Sequence, residues 1–301
     1  MIGSMIPGNP EDYNLNCGDY MKILPYHVVD VFATQPLKGN PVAVFTNIET
    51  LSSVEMQAIA KELNLSETTF VAPADNGRDF NVRIFTPVNE LPFAGHPTLG
   101  TACLLYQLHQ KPRFNLLTKM GAIPFEIKVI NDDIIQAKMQ QPIPTWVLYD
   151  KQAVVLEALG VSTSTLPVEI YHNGPRHVFV GLGSIESLSM LKPNLNLLAT
   201  LPDVAINCFS KNTHGWQMRM FSPAYGVAED AATGSAAGPL ALHLARYGLI
   251  PYGENIQIRQ GVEMGRDSVM YATVVGSSQK IDSITVSGSA VIVAKGEFFI
   301  N

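Results

Sequence analysis

The sequence predicts an α+β protein made of two similar halves, each with one or two helices packed on a curved sheet. Three observations carry this prediction. Arg83-Ile84-Phe85-Thr86-Pro87 returns 136 positions later as Arg219-Met220-Phe221-Ser222-Pro223. Ahead of each copy, Lys38-Gly39-Asn40-Pro41 before VAVF is echoed 135 positions on by Asn173-Gly174-Pro175-Arg176 before HVFV. Behind each copy a glycine-rich turn leads into a helical pattern: AGHPTLGTACLLYQL in the first and TGSAAGPLALHLARYG in the second, with about three extra residues before the second turn. Matches at almost one offset indicate an internal duplication. Unrelated strand–turn–helix units would not share that offset.

Composition bounds the rest. The 301 residues are 47% hydrophobic and 15% charged, which excludes a disordered chain. Their number fits about two domains. No run approaches the ~20 consecutive apolar residues that span a bilayer. A net charge of −6 offers no basic excess for nucleic-acid phosphates. Neither membrane nor nucleic acid is an expected partner. Cys17, Cys103 and Cys208 are too far apart for a disulfide framework or a C-x-x-C motif. Reduced thiols in a cytoplasm are the simplest reading.

Residues 1–21, dominated by Gly, Pro, Asn and Asp, read as a flexible extension and lack the features of a signal peptide. The folded body begins near Lys22. Segments 27–33, 41–45, 68–73 and 80–86 are β-branched and aromatic runs bounded by turn residues, hence strands. Segment 52–65 has apolar residues at helical spacing, with Ser52 or Ser53 as N-cap. The helix after Gly95 has Pro97 near its first position. Gln141–Trp146, with two prolines that hold the chain extended, is the joint. The halves are therefore 22–145 and 146–301, leaving open a return of the last strand to the first half. The helix after Gly234 stops at Gly248, a C′ glycine.

Each glycine-rich turn leaves backbone N–H groups at a helix start, where the dipole also favours anions. A pseudo-twofold relation would aim both starts into one cleft, and a small carboxylated molecule is then the natural ligand. His96 follows Gly95, Ser235 follows Gly234, and Glu229 and Asp230 precede the second turn. Taken singly, capping or dipole roles account for each. Glu67, in SETTFV, reads as a cap near a strand start. GSAAG (234–238) lacks the G-x-S-x-G spacing. GLGSIE (181–186) lacks the third glycine of a dinucleotide fingerprint. His172 and His177 bring no nearby cysteine or carboxylate cluster, so no metal site is expected. No cofactor motif remains.

Together NLSETTFV, RIFTPVNELPFAGHPTLGTA, EIYHNGPRHVFVGL and RMFSPAYGVAEDAATGSAAGPLALHLA resemble the PhzF family of phenazine-biosynthesis isomerases, from about residue 22 to the C-terminus. The resemblance implies a diaminopimelate-epimerase-like fold, with two pseudo-symmetric halves, each a curved sheet or barrel around a central helix. The site it implies lies between them. The family's catalytic glutamate falls on Glu67, its histidine on His96, and its aspartate and serine on Asp230 and Ser235. It also implies a homodimer, no cofactor, and a reaction. trans-2,3-Dihydro-3-hydroxyanthranilate is isomerised by moving a hydrogen from the hydroxyl-bearing to the carboxylate-bearing carbon. The enol becomes an aminoketone for a downstream phenazine-assembly enzyme. On this reading Glu67 acts as base and then acid, its pKa raised by burial. His96 and Asp230 hold the ring hydroxyl and amino group or relay the enol proton. Ser235 and the N–H groups of Gly95 and Gly234 hold the carboxylate. Related two-base epimerases have a cysteine at each turn, where this chain has Ala94 and Thr233. A two-thiol mechanism is therefore not expected. The alternatives are an isomerase or racemase of this fold for another small amino or cyclic acid, and a binding protein without turnover.

Overall fold

The computed structural model describes residues 21–46, 48, 50–131 and 134–300; apart from Met21, the expected extension lies outside them. The first half contains β1 (Lys22–Val31), β2 (Asn40–Phe45), α1 (Ser53–Leu63), β3 (Glu67–Pro73), β4 (Phe80–Phe85), β5 (Glu90–Leu91), α2 (Gly95–His109), β6 (Arg113–Thr118), β7 (Gly121–Val129) and β8 (Ile135–Gln141). After Pro142–Pro144 come β9 (Thr145–Leu148), α3 (Gln152–Leu159), β10 (Glu169–His172), β11 (Arg176–Gly181), α4 (Ile185–Ser189), α5 (Leu195–Leu198) and β12 (Ala205–Lys211). β13 (Trp216–Ser222), β14 (Val227–Asp230), α6 (Gly234–Arg246), β15 (Asn255–Gln260), β16 (Ser268–Gly276) and β17 (Ile281–Ile300) complete the chain.

The duplication is visible strand for strand. β2 runs parallel to β3 as β11 does to β12, and β4 parallel to β6 as β13 to β15. The registers match too: Val42 lies opposite Glu67, and His177, 135 positions on, lies opposite Ala205. In the first half β1, β2, β3, β4, β6, β7, β8 and β17 pair in turn, and β17 closes the ring on β1. β17 serves both halves: its start pairs with β16 and β8, and its end with β1.

Local chemistry sets most element boundaries. Ser52 caps α1 in a reciprocal capping box with Glu55, which satisfies two otherwise orphaned N–H groups. Gly248, at φ +70°, follows the end of α6 in the left-handed conformation that glycine tolerates. β1 starts earlier than the 27–33 reading and ends at Val31, because Phe32 has φ +63° and turns the chain out of extension. Pro97 is the third residue of α2 rather than the first. It still sits in the first turn, where a missing N–H costs nothing.

The long helices take the central place that the resemblance implies. A helix packed on one face of a sheet would keep a polar stripe. Residues 95–105 of α2 and 234–245 of α6 are instead buried throughout. Each is the central helix of its half, and small residues make the fit. A Cβ on Gly100 would lie 2.5 Å from Val31 Cγ2. One continuous core runs through both halves, including Leu99, Leu104, Leu240 and Leu244. Two smaller clusters pack α1 and α3–α5 outside the sheets.

Candidate active site

The two repeated turns meet head to head. A Cβ built on Gly95 would lie 2.1 Å from Ser235 N and 2.3 Å from Gly234 C. Built on Gly234, it would lie 2.9 Å from His96 N. Only residues without a side chain allow the helix starts to approach this closely. The N-cap residues Ala94 and Thr233 make no side-chain cap bond. The first N–H groups of both helices therefore have no cap from those side chains.

One cleft opens over this junction. Glu67, Gly95 and His96 line it from the first half, and Asp230, Gly234 and Ser235 from the second. The structure thus gathers all six candidate residues in one place. The walls follow the repeat: Thr86 faces in from the first Arg-x-Phe-[Ser/Thr]-Pro motif and Ser222 from the second. The symmetry fails where charge appears. The counterpart of Glu67 is Ala205, and the counterpart of Asp230 is Leu91.

Glu67 Oε2 lies 3.4 Å from His96 Nε2, yet both atoms are buried and lack a hydrogen-bond partner among the described residues. Both are thus free to bind a guest. The Glu67 side chain keeps 16% exposure. Its carboxyl is nonetheless deep enough that desolvation, and then the charge of Asp230, push its pKa well above the ordinary value. Desolvation also raises the pKa of Asp230, against hydrogen bonds from Thr233, Asn40 and Ser66. Burial lowers the His96 pKa to about 3, so the ring is neutral.

The groups around His96 decide which ring nitrogen carries the proton. Asn40 Nδ2 lies 2.7 Å from Asp230 Oδ1, 3.0 Å from Ala232 O and 3.2 Å from His96 Nδ1. Two N–H bonds go to the two nearer oxygens. The Pro41 backbone also bonds the imidazole, and proline can offer only its carbonyl. Since Nε2 has no partner, Nδ1–H donates to that carbonyl. Nε2 is then a bare acceptor facing Glu67.

Several site residues were not singled out by sequence reasoning. Asn40 belongs to the repeated Lys-Gly-Asn-Pro piece, but nothing local shows that it reaches Asp230, 190 positions away. Gln260 receives Thr233 N–H on Oε1 and donates to Asp230 O, holding the second turn. Gln141, in the joint, donates to Gly234 O. The repeated arginines brace the site from outside. Arg83 and Arg219 grip Glu90 and Glu229 through paired hydrogen bonds of 2.8–2.9 Å. Glu229 is therefore a structural partner. Cys103 and Cys208 are buried, and burial pushes both thiols upward, as expected of packed thiols.

Two matched halves with a titratable cleft at their joined helix starts define an epimerase-like fold. Three comparisons place the chain within it. It is 55% identical over 271 residues to trans-2,3-dihydro-3-hydroxyanthranilate isomerase of Pseudomonas fluorescens, covering 90% of this chain and 98% of that one. A Bacillus anthracis PhzF-family crystal structure superposes with TM-score 0.83 at 26% identity, over 93% of this chain and all of that one (100%). A Pseudomonas aeruginosa structure, described as a predicted epimerase, gives 0.79 at 30%, over 92% and 100%. The family model for phenazine biosynthesis-like proteins, PhzC-PhzF, matches residues 29–296, and the chain belongs to that family. No helix among the described residues is long and apolar enough to cross a membrane.

Proposed function

We propose that this chain isomerises trans-2,3-dihydro-3-hydroxyanthranilate to an aminoketone, with Glu67 carrying the hydrogen from the hydroxyl-bearing to the carboxylate-bearing carbon. One observation carries the reading. The cleft has a buried, unpartnered carboxyl at Glu67 and an alanine, Ala205, at the matching place in the other half. Two-base epimerisation takes a proton from one face and returns one to the other, so it needs an unengaged acid/base group on each wall; Asp230, on the second wall, is instead held by Asn40 at Oδ1 and by Thr233 at Oδ2. A shift between two carbons of one ring can use a single group on one face. Burial makes Glu67 a stronger base toward carbon and a competent acid on return. The 55% identity to an enzyme bearing that name supports the substrate.

The substrate carboxylate fits the N–H groups at Gly95 and Gly234, with Ser235 beside them. Asp230 faces the amino group. His96 Nε2, a bare acceptor, receives the hydroxyl or enol proton. The net change is a proton shift without redox, so its chemistry needs no cofactor. The same reading gives a cytoplasmic homodimer, which sedimentation would test, and a product passed to a phenazine-assembly enzyme.

Ultraviolet monitoring of the substrate with wild type and Glu67→Gln tests the proposal. Loss of the conjugated-diene absorbance with wild type alone is expected. No change with either protein would shift the reading to another small acid. A panel of amino acids in deuterated water would then reveal α-proton exchange.

A further inference from the structure

The roles above leave a buried imidazole of the cleft unused. His177, on β11, lines the cleft beside Ala205 and is 1% exposed. Its Nε2 has no hydrogen-bond partner among the described residues. Its Nδ1 lies 3.4 Å from Asn207 Nδ2. The Asn207 amide cannot be turned around, because the same Nδ2 lies 3.0 Å from Ala205 O and 3.5 Å from Val178 O, and its two N–H groups reach their two nearest acceptors, Ala205 O and His177 Nδ1. Nδ1 therefore faces a donor and is the bare nitrogen, and the proton sits on Nε2. Burial, with a smaller contribution from His172, keeps the ring neutral. The result is a neutral N–H donor with no acceptor among the described residues, a costly arrangement that a bound acceptor relieves.

We infer that His177 Nε2–H binds the oxygen on the hydroxyl-bearing ring carbon of the substrate and selects for that substituent. The inference rests on the function proposed above. A donor without an available lone pair matches an oxygen, not an ammonium. The substrate has three oxygens, and two belong to the carboxylate held at the helix starts. The third remains an acceptor throughout, as hydroxyl, enol and ketone, so the contact can persist along the reaction. The repeat supports a dedicated role. The counterpart of His177 is Val42, which cannot donate, so the donor belongs to the wall that carries Ala205 in place of a carboxylate.

Two stable probes differ by that oxygen alone: 3-hydroxyanthranilate and anthranilate. Calorimetry would measure both against wild type, His177→Phe, which keeps the ring and loses the N–H, and His177→Gln, which restores a donor. Wild type should prefer the hydroxylated probe. His177→Phe should weaken its binding about 3- to 10-fold and leave anthranilate within about twofold, and His177→Gln should recover part of the preference. In turnover, KM should rise more than kcat falls, with the pH profile unchanged in shape because the ring stays neutral. Equal losses for both probes, no loss, or a shifted pH profile would overturn the inference. Wild-type turnover with discrimination intact in His177→Phe overturns it alone. A wild type that neither turns over substrate nor binds either probe removes the proposed function as well.

Discussion

Adding one methyl group at Gly95 perturbs the site where the two halves touch. In Gly95→Ala the new Cβ would start 2.1 Å from Ser235 N, 2.3 Å from Gly234 C and 2.8 Å from Gly234 Cα. Ordinary contact begins at 3.4 Å, and all three neighbours are backbone, so no side chain can swing away. The helix starts must separate by about 1 Å, from the difference between 3.4 and 2.1 Å. Overpacking of this kind costs roughly 1–3 kcal/mol. In a chain of this size that lowers Tm by roughly 2–5 °C. Catalysis should suffer more than stability, because Glu67 and Asp230 lie on opposite sides of the separated junction. A displacement of about 1 Å costs on the order of a hundredfold in turnover. Gly183→Ala is the control: nothing lies within 4 Å of its added Cβ. Diene-absorbance kinetics and thermal melting of both variants would settle the matter. Gly95→Ala with wild-type kcat/KM and Tm would refute the head-to-head packing argument.

Further outcomes follow from charge and burial. Because burial raises the Glu67 pKa, its ionisation opposes folding. That contribution to stability is intact below the ordinary value of 4.5 and is lost as pH rises through the raised one. In urea unfolding, Glu67→Gln should match wild type near about pH 4 and exceed it at about pH 9. In kcat/KM–pH profiles the acid limb should lie well above an ordinary glutamate. Asp230→Asn removes the second cause of the shift and should move that limb partway down, the observed values belonging to the pair. Arg219→Ala leaves Glu229 without its paired bonds and removes donors from three carbonyls, those of Leu188, Ser189 and Leu191. Denaturant unfolding should show a loss of about 3–5 kcal/mol. Arg83→Ala should cost about 1 kcal/mol or less, since Lys119 still pairs with Glu90 at 2.7 Å.

The repeated motifs owe their legibility to different physical demands. Arg83 and Arg219 each stack on the phenylalanine two residues ahead, 5.1 and 5.0 Å from ring centre. Each also takes a glutamate just downstream. The interval to that glutamate is seven residues in one copy and ten in the other, which are the extra residues seen before the second turn. These are short-range arrangements, so they leave a short-range signature. The glycines of the turns were legible as helix starts, but their tighter constraint was not. Gly95 is small because Gly234 is beside it, and the two are 139 positions apart in the chain.

Period, caps and turn residues lie within a few positions of one another, and from these the sequence by itself determined the duplication, the first four strands and α1, and the two turns that start α2 and α6. The resemblance carried by its motifs added Glu67, His96, Asp230 and Ser235 as candidates. The tertiary structure decided what those parts do together. It closed the first half by returning β17 to β1, brought Asn40 to Asp230, and placed Ala205 where a second carboxylate would have made the cleft symmetric. Such contacts depend on how two folded halves dock, and docking is set by the shape of the whole core rather than by any local spacing.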